Sequence, residues 1–146
     1  MQYKVDLEVR GNVMPVFDVA VVGGGPGGYA AAIRAAQLGM KTGLIESNQL
    51  GGLCLNWGCV PSKALLRNAE VVSMIGRASE FGVNVEGLSV DLGAGVQRSR
   101  RVVSRLVKGV EFLMKKNNID YIQLNTMDSL DKSLMQYLIK RANINK

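Results

Sequence analysis

Two runs of residues in this 146-residue chain have the types and spacing to do chemistry: Gly23-Gly24-Gly25-Pro26-Gly27-Gly28 and Cys54-Leu55-Asn56-Trp57-Gly58-Cys59-Val60-Pro61-Ser62-Lys63. In the first, Gly23-x-Gly25-x-x-Gly28 permits a tight turn at the first glycine, close approach of backbone to a pyrophosphate at the second and close helix-to-strand packing at the third. A helix beginning near Gly27, just past Pro26, would turn free N–H groups and a positive dipole end toward the same phosphates. Glu46 follows about twenty residues on, where a carboxylate can accept both hydroxyls of an unphosphorylated ribose. The plainer alternative is a glycine turn that only packs a helix on a sheet, with Glu46 a surface charge.

The second run places two thiols five residues apart. On an ideal helix their Cα atoms would be about 8 Å or more apart, beyond the roughly 7 Å reach of a disulfide. A Cys54–Cys59 bond therefore requires a turn or a distorted helical start, and Gly58 supplies backbone freedom beside it. So short a ring adds little to folding stability, which favours cycling between dithiol and disulfide over a structural role. One thiolate would be stabilised by the start of a helix over residues 61–77, with Lys63 nearby and Pro61 suited to its first turn. Two alternatives stay open: ordinary reduced cysteines in a packed segment, against which the Gly51-Gly52 approach and polar Asn56 are odd, and two ligands of a metal site. No metal is expected, because two thiolates are too few ligands and the chain has no His and no further Cys.

The elements that must position these groups are legible from pattern. Residues 16–22 are apolar and β-branched and read as a buried parallel strand; residues 27–38 read as an alanine-rich helix stopped by Gly39; residues 41–46 read as a second strand. Ala64, Leu65, Ala69, Val72 and Ile75 suit a helix over residues 62–77, followed by a loop or short extended piece over 82–88. A longer amphipathic helix is expected from Asp91 or Leu92 to Asn117, burying Val96, Val103, Leu106, Val107, Val110 and Leu113, with Arg98, Arg101, Arg105, Lys108 and Lys115 as a solvated basic stripe. Residues 119–124 read as a third strand, and Leu130, Leu134 and Leu138 as a helix over 129–141.

Composition bounds the class. An apolar share of 47% in 146 residues builds one core. The formal charge of +6 is spread from Lys4 to Lys146 with few aromatics, so nucleic acid is not the expected partner. No apolar stretch reaches the length of about 18–20 residues needed to span a bilayer, and residues 1–13 carry Asp6 and Glu8 without the apolar run of an export signal. The expectation is a cytoplasmic protein without membrane contact, in a reducing compartment where a disulfide is more often catalytic than structural. The lack of histidine excludes an imidazole general base, a Ser/His/Asp triad and any imidazole-ligated zinc.

The segment from Gly51-Gly52-Leu53-Cys54 through Cys59-Val60-Pro61-Ser62-Lys63-Ala64-Leu65-Leu66 resembles the redox motif of the class I pyridine nucleotide-disulfide oxidoreductase family. Leu55 and the Ser62–Leu66 ending place it nearest the dihydrolipoamide dehydrogenase branch rather than the glutathione and mercuric reductases. The resemblance implies that Gly23, Gly25 and Gly28 cradle the pyrophosphate of FAD while Glu46 holds the adenosine ribose. It implies further that Cys54 is the interchange thiol, Cys59 the charge-transfer thiol against the flavin, and Lys63 a neighbour of the flavin N5. The family reaction passes electrons from dihydrolipoamide through this disulfide to FAD and on to NAD. Leu53 stands where the family usually has Thr, and Trp57 where it has a smaller residue.

The fold class expected is α/β: a partial Rossmann-type FAD-binding domain, a parallel sheet with flanking helices. Residues 1–15 read as a leader, since Met14 stands where family members commonly begin, residues 16–124 as the nucleotide and redox part, and residues 125–146 as an atypical tail left by truncation or a shifted frame. Cofactor contacts are assigned to Gly23, Gly25, Pro26, Gly27, Gly28, Glu46, Gly51, Gly52 and Lys63, and redox chemistry to Cys54 and Cys59. The family's partners are a lipoyl-bearing subunit of a 2-oxoacid dehydrogenase complex and a second copy in a homodimer that would be incomplete here. The family's catalytic His–Glu pair lies in a later domain, so this chain alone is expected to turn over little or not at all. The alternatives are a stand-alone FAD- or ADP-binding module without redox activity, and an NAD-binding dehydrogenase fragment that leaves the cysteines idle.

Overall fold

A computed structural model describes residues 16–129, 131–133, 135 and 137–139. The expectations for the leader, Met14, Leu130 and Leu134 fall outside them.

Three parallel strands, β1 (Val19–Val22), β2 (Thr42–Glu46) and β3 (Asp120–Gln123), form one sheet in the order β1-β2-β3. Helix α1 (Pro26–Gln37) connects β1 to β2. The second crossover is longer: α2 (Gly52–Asn56), α3 (Cys59–Gly76), a 3-10 turn (Ala78–Phe81) and α4 (Leu92–Lys116). The α/β class and the parallel Rossmann-type order are as expected from sequence.

Both crossovers step the same way across the sheet, and right-handed connections then put their helices on the same face. The core shows this. Val21, Leu44 and Tyr121 are register partners across the three strands, and they meet Ala32 and Ile33 of α1 together with Val107, Val110 and Met114 of α4 in one apolar cluster. The other face carries Val22, Ile45 and Ile122, also register partners, with Val22 82% exposed.

Several boundaries differ from the sequence reading, each for a local reason. Strand β1 starts at Val19 rather than at residue 16, because the Phe17 ring lies over Gly43 and the Asp18 carboxylate accepts the Lys41 N–H at 2.7 Å. Helix α1 begins on Pro26, whose missing N–H costs nothing at a first-turn position, and Gly39 ends it at φ +83°. The buried face of α4 is Ser99, Val110 and Met114, with Val107 packed beside them, whereas Leu106 and Leu113 stay 45% and 38% exposed. Asp91 caps α4 by accepting the Ala94 N–H at 2.9 Å.

Candidate active site

The two glycine-rich segments, far apart in function on paper, are one piece of surface in the fold. β1 delivers Gly23 at φ +100°, and Gly23 N–H extends the sheet by donating to the Ile45 carbonyl at 2.7 Å. A Cβ at Gly28 would overlap the Gly23 carbonyl oxygen, so only glycine lets α1 close on the strand there. At Gly25, the N-terminal boundary of α1, an added Cβ would meet nothing within 4 Å. The loop thus has open space on the side where its second glycine and the α1 terminus face outward, the geometry a pyrophosphate needs.

The cysteine segment docks onto this loop through backbone. Gly51 N–H donates to the Gly24 carbonyl at 2.8 Å, and a Cβ at Gly52 would stand 2.9 Å from the Gly25 Cα. Gly51 and Gly52 have φ of +101° and +58°, the left-handed region that side chains avoid. From there the chain enters α2, a helix the sequence reading had only as a turn or distorted start. Asn56 holds its single turn and a half together, its amide donating to the Leu50 carbonyl at 3.1 Å and to the Gly52 carbonyl at 3.0 Å. Trp57 ends α2, half-exposed, and Gly58 at φ −120°, ψ −109° turns the chain into α3, whose first residue is Cys59.

Cys54, on the short helix α2, and Cys59, the first residue of the longer α3, therefore sit on different helices across a break, and both are free thiols. The neighbouring Cys59 side chain, as a hydrogen-bond partner, pushes the Cys54 thiol above the ordinary cysteine value; burial and the Cys59 charge act the same way, and the Cys59 backbone N–H and the Lys63 charge act against them. Lys63 is exposed on the second turn of α3.

Glu46 ends β2 beside the loop. One carboxylate oxygen accepts Gly24 N–H at 2.6 Å and the other accepts Asn48 N–H at 2.9 Å and the Ser47 hydroxyl at 3.2 Å. Burial raises its pKa, but the backbone N–H groups of Asn48 and Gly24 and the Ser47 donors outweigh it and hold the carboxyl below the ordinary glutamate value. Next to it, at the C-terminal ends of β2 and β3, a polar cavity of about 650 Å³ is lined by Ser47, Asn48, Gln123, Asn125, Thr126 and Asp128. Ligands of open α/β sheets bind at such strand ends. Sequence reading had Glu46 but none of these neighbours, because only the β2–β3 pairing brings residues 123–128 beside it.

Residues 17–137 match the pyridine nucleotide-disulphide oxidoreductase family. The chain belongs to that family. Among curated relatives it is similar to three named dihydrolipoyl dehydrogenase: one from Chlorobaculum parvum, 58% identical over 104 residues, 71% of this chain and 22% of the relative; one from Rhizobium etli, 56% identical over 107 residues, 73% and 22%; and one from Bacillus subtilis, 54% identical over 104 residues, 71% and 22%. The chain spans about a fifth of the length of these relatives. Within the pyridine nucleotide-disulphide oxidoreductases its glycine loop, cysteine segment and Glu46 all fall in the matched stretch. No helix among the described residues is long and apolar enough to cross a membrane, and no cluster of metal-ligating side chains occurs among them.

Proposed function

We propose that this chain is the FAD-holding and redox-disulfide portion of a dihydrolipoyl dehydrogenase-like enzyme acting in the cytoplasm. The observation that carries the reading is the backbone weld between the phosphate loop and the cysteine segment, Gly51 N–H to Gly24 carbonyl with Gly52 against Gly25. A packing-only glycine turn has no need of a dithiol on its rim.

Open space over Gly25 and Gly27 supports a dinucleotide at this loop. Gly23, Gly25, Pro26, Gly27 and Gly28 would cradle the pyrophosphate at the α1 terminus, Glu46 would take one ribose hydroxyl on its remaining lone-pair site and the other in place of the Ser47 hydroxyl, and the cavity lined by Ser47, Asn48, Gln123, Asn125 and Thr126 would take the adenine. Gly51, Gly52 and Lys63 would border the remainder, with Cys59 at the flavin and Cys54 toward the dithiol substrate. Bound there, the flavin supplies a two-electron acceptor.

The chain's own share of the chemistry is the thiol pair. Closing it breaks two S–H bonds, forms one S–S bond and releases two electrons and two protons. Opened by an incoming substrate dithiol, the ring would exchange through Cys54: one substrate thiolate attacks the Cys54 sulfur, breaking the Cys54–Cys59 bond, and the second displaces Cys54, which leaves the substrate as a disulfide and the pair as a dithiol. By likeness to the dihydrolipoyl dehydrogenases, the substrate dithiol would be a lipoyl group on a 2-oxoacid dehydrogenase subunit, the final acceptor NAD and the assembled enzyme a homodimer.

The test is an absorption spectrum after incubation with FAD and desalting, followed by stepwise dithiothreitol. Retained flavin absorbance, with a long-wavelength band that alkylation of Cys54 and Cys59 abolishes, is the expected result. Flavin retained with no response to reduction or alkylation would leave a nucleotide-binding module without redox chemistry and overturn the dithiol role.

A further inference from the structure

Helix α3 is loosely held for an element that starts on a reactive residue. Only Ala64 along its length is buried, and Leu66, Val71 and Met74 are exposed. Its start has no side-chain cap and no acidic residue in the first turn, and Gly58 precedes it. The first helical hydrogen bond, Ser62 N–H to the Gly58 carbonyl, is 3.2 Å long.

What restrains it comes from α4. Gly95, Arg98 and Ser99 share one face at helical spacing and lie along Pro61, Ala64 and Asn68 of α3. A Cβ at Gly95 would stand 2.8 Å from the Asn68 amide nitrogen, so the Asn68 side chain lies directly over Gly95. Arg98 donates to the Ala64 carbonyl at 3.2 Å and to the Asn68 side-chain oxygen at 3.1 Å. Ser99, 3% exposed, donates its hydroxyl to the Pro61 carbonyl at 3.1 Å. A buried hydroxyl without a partner is costly, so this bond fixes where the first turn of α3 sits relative to α4.

We propose that Ser99 is a positioning residue for the thiol pair, acting through the Pro61 carbonyl to hold Cys59 within reach of Cys54. The proposal rests on the redox reading of that pair. Pro61 is two residues from Cys59 in the same turn, while Cys54 is set independently by α2 and Asn56. Freeing the α3 start lowers the effective concentration of one thiol at the other, which makes the closed ring easier to open.

The experiment is a glutathione redox titration of the purified chain, quenched by alkylation and read by mass. The reaction followed is closed ring plus two glutathione thiols giving dithiol plus glutathione disulfide. Ser99→Ala is expected to shift this equilibrium toward the dithiol by up to about tenfold, which is about 30 mV for a two-electron couple. Ser99→Thr, which keeps the hydroxyl, stays within about twofold of the parent. Arg98→Met, one turn farther from Cys59, shifts it the same way by less. Ile119→Val, in the core just before β3 and outside both helices that carry the thiols, lowers the unfolding midpoint without moving the equilibrium.

An unchanged equilibrium in a folded Ser99→Ala protein overturns the proposal and leaves the redox reading standing. So does an Ile119→Val shift equal to that of Ser99→Ala. Should Ser99→Ala not fold, Arg98→Met decides: a shift toward the dithiol supports the proposal, and none overturns it. If the parent chain never closes the ring in oxidised glutathione, the redox reading fails, and the proposal with it.

Discussion

The phosphate loop and the redox helix are neighbours held in opposite ways. The loop, residues 23–28, is fixed chiefly by backbone, through a strand hydrogen bond into Ile45 and a glycine that only fits as glycine at position 28, with one side chain added, the Glu46 carboxylate on the Gly24 N–H. The redox helix α3 is fixed by side chains of another helix, Arg98 and Ser99, and otherwise exposes much of its apolar surface. A cradle set by backbone beside a thiol set by side chains would suit the proposed site, in which one group stays put and the other makes and breaks a bond.

The contrast breaks most sharply at Gly28. Gly28→Ala would drive a methyl group into the Gly23 carbonyl oxygen, backbone against backbone, and is expected to cost about 3 kcal/mol in urea unfolding. Loss of only a few tenths of a kcal/mol there would mean that the loop yields as easily as the helix.

Glu46→Gln comes next. It removes the charge but keeps the shape, and is expected to cost about 1 kcal/mol at neutral pH, since the Gly24 and Asn48 bonds to the carboxylate are charge-assisted. The sign of the pH effect follows from the lowered carboxyl: its contribution is full above the unfolded-state value and is lost as pH falls through the folded value. Urea midpoints taken from neutral pH to below about pH 4 should therefore fall more steeply for the parent chain than for the Gln variant, and should converge at the acid end. Equal slopes would show that Glu46 does not anchor the loop.

The smallest effect belongs to the outer face of α3. Leu66→Ser, at a residue 62% exposed, is expected to change stability by no more than about 0.5 kcal/mol. A loss of several times that would mean that α3 is seated on something its exposed surface does not reveal.

The same contrast explains what could be read from the chain before folding it. The strand, glycine loop and following helix were legible because each signal is local: the apolar, β-branched run read over residues 16–22, the Gly23-x-Gly25-x-x-Gly28 spacing and Gly39 past the end, although the strand starts at Val19 and the helix at Pro26 rather than Gly27. Glu46 was legible by distance along the chain. Helix α2 was not, because its five residues persist through Gly51 in a left-handed conformation and the Asn56 amide reaching back to Leu50, neither of which leaves a periodic pattern. The start of α3 was read three residues late, since the turn at Gly58 rather than Pro61 sets it.

On α4 the apolar spacing was right at Val107 and Val110 and wrong at the flank beside them. Leu106 and Leu113 look like core residues but stay partly in water, while Ser99, which no hydrophobic pattern would select, is buried to serve the Pro61 carbonyl. Arg98, grouped with a solvated stripe, is bonded to α3 although exposed. Helix periodicity says which residues share a side; what lies across from that side is a property of the whole fold.

Trp57 gives the contrast a colour. It is the single tryptophan of the chain, it closes α2 between the two cysteines, and it is 54% exposed. All indole emission from this protein thus originates at the hinge between cradle and thiol, where a nearby disulfide or an isoalloxazine ring quenches it. The molecule carries its own lamp at the junction of its fixed and its movable part, and needs no added label to report when either is filled or closed.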